Sequence, residues 1–219
     1  MARATGPTAA IAGLAPGIQC QGIWTGRRQL FVRFAAEAET AVLYTPEMLG
    51  RQLARAAQQS VLHSISVAGR DPLASAELIA DTFTHWESPL PVMLDCDGQR
   101  PDAMARVAQR VTLVQVTHDF AGTPADAERA VATLAAAAGA GREHALVLAP
   151  RDTTTDGQLL RFIEQAHAVV PGTKIVVHPA PGVERHTLDR RYATLLEQAM
   201  IIHRDVVLLL RLPAPAATR

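Results

Sequence analysis

Residues 17–45 read GIQCQGIWTGRRQLFVRF followed by AAEAETAVLYT, and this stretch organises the reading of the chain. The first half is a loop punctuated by Gly17, Gly22 and Gly26, and it feeds an apolar strand at 30–34 with Arg33 inside it. The second half is short, acidic and rich in alanine. It ends at Thr45, where a threonine followed by Pro46 and Glu47 gives an N-cap, a proline at the first helical position and an acid in the first turn.

Outward from there, short apolar runs alternate with amphipathic periods. The runs predict strands at 30–34, 63–68, 91–95, 112–117, 145–149, 174–179 and 206–211. The periods predict helices at 46–59, 74–86, 101–109, 125–138, 156–169 and 187–202. Several strands are apolar almost throughout, as happens when both faces of a parallel sheet are covered. Thr123-Pro124 repeats the cap signal of Thr45-Pro46, and Gly172 after Pro171 marks a return to a strand. Strict alternation predicts an α/β fold with right-handed crossovers. Periodicity alone does not separate an open doubly wound sheet from a partial barrel. No GxGxxG follows the first strand, which weakens a dinucleotide fold.

With 219 residues the chain suits one domain with a substantial core, or at most two small ones. The expected division is a flexible arm over 1–16, one domain over 17–213 and a tail over 214–219. Hydrophobic residues make up 48% but aromatic ones only 4%, so the core must be built from Ala, Val and Leu. The formal charge is zero with no long basic run, so nucleic-acid binding is not indicated. The 2 cysteines, Cys20 and Cys96, are too few for a disulfide framework. No apolar run reaches the roughly 18 residues of a membrane span, and the alanine-, glycine- and proline-rich start lacks the apolar core of a signal peptide. A cytoplasmic protein without membrane contact is the expectation.

The entrance stretch resembles that of the radical S-adenosylmethionine enzymes, specifically the 7-carboxy-7-deazaguanine synthase family. That family's loop runs approximately SIQGEG, three residues, G, a spacer and FVRF, then a glycine and the cluster cysteines. Ile18-Gln19 match IQ, Gly22 and Gly26 match two glycines, and Phe31-Val32-Arg33-Phe34 match FVRF. The family's Cys-x3-Cys-x2-Cys falls on Glu37, Ala41 and Tyr44, and its GEG is changed at Cys20 and Gln21. A cubane iron–sulfur cluster needs thiolates, which these positions do not supply. The resemblance implies a partial (βα)6 barrel of parallel strands with a seventh strand, spanning Ile18 to Leu212.

Further likenesses lie at the strand ends, where parallel α/β folds place their ligands. Residues 68–73 (AGRDPL) resemble the family's GGEPL, the segment that holds the amino group of S-adenosylmethionine. Arg70 stands for a glycine and Asp71 for a glutamate, which implies a weakened hold on that cosubstrate. Residues 94–98 (LDCDG) resemble L-[ED]-T-[ND]-G. Arg33 resembles the family's strand arginine near the substrate carboxylate, and a buried ion pair is the other reading of it. The family's C-terminal P-Q-x-H has no counterpart after Arg211.

The resulting ligand-binding set is Gln19, Gln21, Arg33, Gly69, Asp71, Asp95, Asp97, His118 and His178. Aspartates and glycines at such ends also serve as turn formers and helix caps. Cys96 reads as a small buried side chain or as a reactive thiol. With no HxH or HExxH spacing, no metal site is expected, and no catalytic residue is assigned. The expected function is that of a pseudoenzyme: a radical-enzyme scaffold without iron–sulfur cluster or other cofactor, acting as a ligand-binding or accessory subunit. Its implied partners are a second copy, an active paralogue, or a small nucleotide-like ligand. The alternative is an enzyme with acid/base or metal-assisted chemistry in the same pocket, using Asp71, Asp95, Asp97, His118 and His178.

Overall fold

The computed structural model describes residues 6–179 and 188–210. They form an α/β fold with one nine-stranded sheet and, among the described residues, six α-helices. The strands are β1 (Ala9–Ile18), β2 (Arg28–Phe34), β3 (Val42–Tyr44), β4 (Ser64–Gly69), β5 (Val92–Cys96), β6 (Leu113–His118), β7 (Glu143–Leu148), β8 (Lys174–Val177) and β9 (Val206–Leu208). The helices are α1 (Pro46–Gln59), α2 (Ala76–His85), α3 (Pro101–Val107), α4 (Pro124–Gly139), α5 (Asp156–Val169) and α6 (Ala193–Ile202). A π turn, Leu188–Tyr192, leads into α6. Residue 187, where the last helix was expected to begin, lies outside the described residues, as do 211–219 with the expected end of the last strand and the tail.

The strand order is β3-β1-β2-β4-β5-β6-β7-β8-β9. From β2 onward the neighbours follow chain order and every pair is parallel. Right-handed crossovers that always step the same way collect their helices on one face. Accordingly each helix packs on the next, α1 on α2 through to α5 on α6.

Two strands were not expected. Residues 1–16 were read as a flexible arm, but from Ala9 the chain is a strand, paired antiparallel with β2 on one side and β3 on the other. Its composition of Ala, Gly and Pro has weak strand propensity, and the pairing comes from neighbours on both sides instead. Residues 42–44 add the edge strand β3.

Helix starts follow the threonine signals. Thr45 accepts from the backbone of Met48, and Thr155 and Gln158 satisfy each other's backbone N–H groups. The expected helix at 74–86 opens as a tight turn, Pro72–Ser75, before α2 begins.

Register divides the sheet into two faces. Leu30, Val32, Ile65, Val67, Leu94, Val114, Val116, Leu146, Leu148, Ile175 and Val177 face the helices and are buried in the main core. Burying side chains of this size stabilises by about 1.5–3 kcal/mol each. The opposite face carries Gln29, Ser64, Ser66, Met93, Asp95, Gln115, Thr117 and His178 among apolar residues such as Phe31, Leu113 and Ala145. It is the polar side of the sheet.

Candidate functional site

The segment that joins β1 to β2 lies across this polar face. Its ends are clamped together: the N–H of Gln19 donates to the carbonyl of Arg27, and the N–H of Gly26 donates to the carbonyl of Gln19, both at 2.9 Å. Ile23 and Trp24 press on Met93, Leu113 and Ala145, forming a second, small apolar cluster. Trp24 meets the ring of His63 edge-on at 5.0 Å between centroids.

Polar contacts fix the rest of the loop. Gln19 is buried, its amide oxygen accepts from the N–H of Cys20, and its amide nitrogen points at the sulfur of Met93. The Gln21 amide nitrogen donates to Oδ2 of Asp95 at 3.3 Å and to Oγ1 of Thr117 at 3.4 Å. Thr117 in turn donates to Oδ1 of Asp95 at 3.0 Å. The N–H of Gly22 donates to Nε2 of His178 at 2.9 Å, and Nδ1 of His178 lies 2.6 Å from the carbonyl of Leu209. An Nε2 that accepts leaves the ring proton on Nδ1, which donates to Leu209; both ring nitrogens are thereby engaged.

A side chain at Gly22 would be strained and crowded. The φ there is 75°, and a Cβ would come within 1.7 Å of Oε1 of Gln115. Gln115 is fully buried beneath it, and among the described residues neither of its amide atoms has a hydrogen-bond partner. Oγ of Ser66 is in the same state, and so is Oε1 of Gln29, whose amide nitrogen donates to Ser64 at 2.8 Å.

Of the residues expected to bind a ligand, the structure gathers Gln19, Gln21, Asp95 and His178 around this loop. The others lie apart. Arg33 shares the polar face but sits half-exposed near the sheet's edge, paired at 2.6 Å with Glu39. Gly69 ends β4 with φ 106°, and a Cβ there would meet the backbone of Phe34 at 2.4 Å, so it serves close strand approach. Asp71 adopts a left-handed conformation and forms a two-pronged pair with Arg100 at the start of α3. Asp97 accepts from the N–H of Gln99 in the turn after β5.

His118 belongs to the opposite face. Its register partner is Leu148, and its ring packs on Phe120 at 4.8 Å and Phe162 at 4.6 Å. Burial holds its pKa below the usual histidine range, outweighing the opposing pull of Asp119 and Asp126. Cys96 also faces the helices, and burial pushes its thiol far above the ordinary range. Cys20 is half-buried and its sulfur donates to the carbonyl of Ile18.

Thr117, Gln115, Ser66 and Trp24 were not singled out in the sequence. Once pairing is known, strand parity finds the first three: Gln115 lies beside Asp95, Ser66 beside Met93, and Thr117 is the next residue on that side.

The three positions of the family's cluster cysteines run along the segment between β2 and the first helix. Glu37 is exposed in a turn, Ala41 is exposed, and Tyr44 is half-buried in β3 against the main core. One carboxylate, one methyl and one phenol do not fit a cubane cluster. Among the described residues no three His, Cys, Asp or Glu side chains gather as a metal-binding group, and no helix is long and apolar enough to cross a membrane. The chain matches no protein-family model and no curated protein.

Proposed function

We propose that the chain is a cluster-free relative of the radical S-adenosylmethionine enzymes, similar to 7-carboxy-7-deazaguanine synthase, that works as an accessory subunit rather than as a catalyst. In this reading the sheet from β2 to β9 is a partial (βα)6 barrel with a seventh strand. A parallel sheet whose strands follow chain order, with helices on one face, supports that architecture. The observation that carries the functional reading is the placement of residues 19–27. The loop bearing the likeness lies on the polar face and occupies two of its hydrogen-bonding side chains, through Gln21 on Asp95 and Gly22 on His178. A face filled by the chain's own loop favours the role of protein partner over that of holder of a nucleotide-like ligand.

The radical reaction begins with an electron passed from a cluster to the sulfonium of the cosubstrate. Glu37, Ala41 and Tyr44 leave no thiolates for that cluster, so the reaction lacks its first step. Acid/base chemistry is less well supported, since His178 uses both ring nitrogens within the fold and His118 is packed on the other face.

The test is anaerobic reconstitution with iron and sulfide, followed by incubation with S-adenosylmethionine and a strong reductant. The expected result is no broad visible absorbance and no 5′-deoxyadenosine above a protein-free control. Iron- and sulfide-dependent 5′-deoxyadenosine would overturn the reading.

A further inference from the structure

The sheet ends at β3, which is bonded to β1 on its inner side and to no other strand among the described residues. Edge strands are usually kept short or carry a charge, a proline or a bulge that discourages pairing. β3 is short, at 3 residues, but reads Val-Leu-Tyr with no charge or proline, and its Val42 and Leu43 are 57% and 66% exposed. Beside it runs a groove of about 380 Å³ lined by Val42, Tyr44, Met48, Arg51, Gln52 and Arg55. One wall is therefore the open strand and the other is α1.

The groove has a defined charge. Arg51 and Arg55 stand one helical turn apart, both exposed, and neither forms an ion pair within 4.0 Å among the described residues. Glu47, the acid on α1, lies one turn before Arg51 and feels its charge, and its carboxylate is bonded to the hydroxyl of Thr45 at 2.8 Å. The surface thus offers unpaired strand backbone, an apolar floor from Tyr44 and Met48, and two cations at its rim.

We propose that this edge docks an extended segment of a partner protein in which apolar and acidic residues alternate. The segment adds to the sheet alongside β3, turns its carboxylates to the α1 side against Arg51 and Arg55, and sets its apolar side chains on the other side beside Leu43. Backbone pairing supplies affinity in such strand addition, and alternate side chains supply selectivity. Arginine–carboxylate bonds are strong and directional. A second copy is the poorer occupant, because pairing β3 with β3 about a two-fold axis brings two α1 helices, and two pairs of arginines, side by side. This surface is separate from the loop-covered face, so it stands or falls independently of the radical-enzyme reading.

The test uses the full chain and two fluorescein-labelled peptides, one alternating valine with glutamate and one alternating valine with lysine, followed by fluorescence anisotropy. The glutamate peptide is expected to bind and the lysine peptide to bind at least about tenfold more weakly, the equivalent of one charge-assisted contact. The double substitution Arg51→Glu, Arg55→Glu should weaken the glutamate peptide by at least about tenfold. Both sites are exposed, and circular dichroism checks the fold. Should that variant misfold, added salt on the unaltered chain must weaken the glutamate peptide in its place. Leu43→Lys, which guards the edge, should also reduce binding. Equal binding of both peptides, no binding of either, or binding unchanged by salt and by the arginine substitutions overturns the proposal. So does a dimer in light scattering that Leu43→Lys dissolves.

Discussion

The backbone N–H of Gly22 and Nε2 of His178, 156 positions apart in sequence, form a 2.9 Å hydrogen bond that pins the β1–β2 loop to the far side of the sheet. The bond works only with His178 neutral and protonated on Nδ1, the tautomer that the carbonyl of Leu209 selects.

Replacing His178 by alanine leaves a buried donor at Gly22 and a carbonyl at Leu209 without their partner. The expected cost is about 1–3 kcal/mol in urea unfolding. Amide exchange at Gly22 and Ile23 should accelerate more than exchange in α2 or α4. Uniform acceleration across the chain would mean that the bond does not hold the loop specifically.

Gly22 and Gly26 separate backbone strain from crowding. Both have positive φ, but a Cβ at Gly26 meets nothing within 4 Å whereas one at Gly22 runs into Gln115. Gly26→Ala should cost about 1–2 kcal/mol, the left-handed penalty alone. Gly22→Ala should cost about 1–3 kcal/mol more. Adding Gln115→Ala should recover part of that excess in the Gly22→Ala background and none in the Gly26→Ala background. Equal costs for the two alanines would show that Gln115 yields freely.

His118 gives the fold a pH dependence of definite sign. Its pKa is depressed in the folded chain by burial against Phe120 and Phe162, while the unfolded chain titrates near the ordinary value of about 6.5. As pH falls below about 6.5 the unfolded state takes up the proton first, so stability declines until the folded pKa is passed. His63 shifts the same way through burial and the charge of Arg27, so the contrast must come from a variant. The drop in Tm from about pH 7.5 to about pH 5.5 should be smaller for His118→Leu than for the parent chain. An unchanged drop would remove His118 as its source.

The two cysteines should react on different timescales. Cys20 is half-buried and Cys96 is buried with its thiol held protonated. A chromogenic disulfide reagent should titrate one thiol quickly in native protein and the second only in denaturant. Cys20→Ser should abolish the fast phase. A fast phase that persists in that variant would place Cys96 at an accessible position.

The parallel half of the sheet was readable because its strands are buried on both sides and so appear as unbroken apolar runs such as ALVLA and KIVV. The same property hid which way each residue points. In a run apolar on both faces, nothing marks the odd from the even positions. His118 and His178 both looked like strand-end residues facing one pocket, yet pairing sets His118 beside Leu148 and leaves His178 on the polar side. β1 escaped because Ala, Gly and Pro signal an arm. Its partners, Phe31 and Val32 on β2 and Leu43 on β3, carry the strand character that β1 lacks. The part of the site that could be read was the loop itself, whose glycines at 22 and 26 mark the positions with φ near 80°.

The order of β3, β1 and β2 at the head of the sheet bears on biosynthesis. These strands and the loop between β1 and β2 come from residues 9–44 and pair antiparallel over short separations, so they can assemble as the chain leaves the ribosome. The loop's seat is made much later, since Asp95 and Thr117 arrive with β5 and β6, and His178 only after β8. Until β7 is made, Ile23 and Trp24 lack the complete Met93, Leu113 and Ala145 surface that buries them. An unfinished chain therefore displays an isoleucine and a tryptophan on a tethered loop, the kind of greasy handle that chaperones grip. Synthesis through β7 supplies the surface that buries it, and His178 then fastens the loop in place.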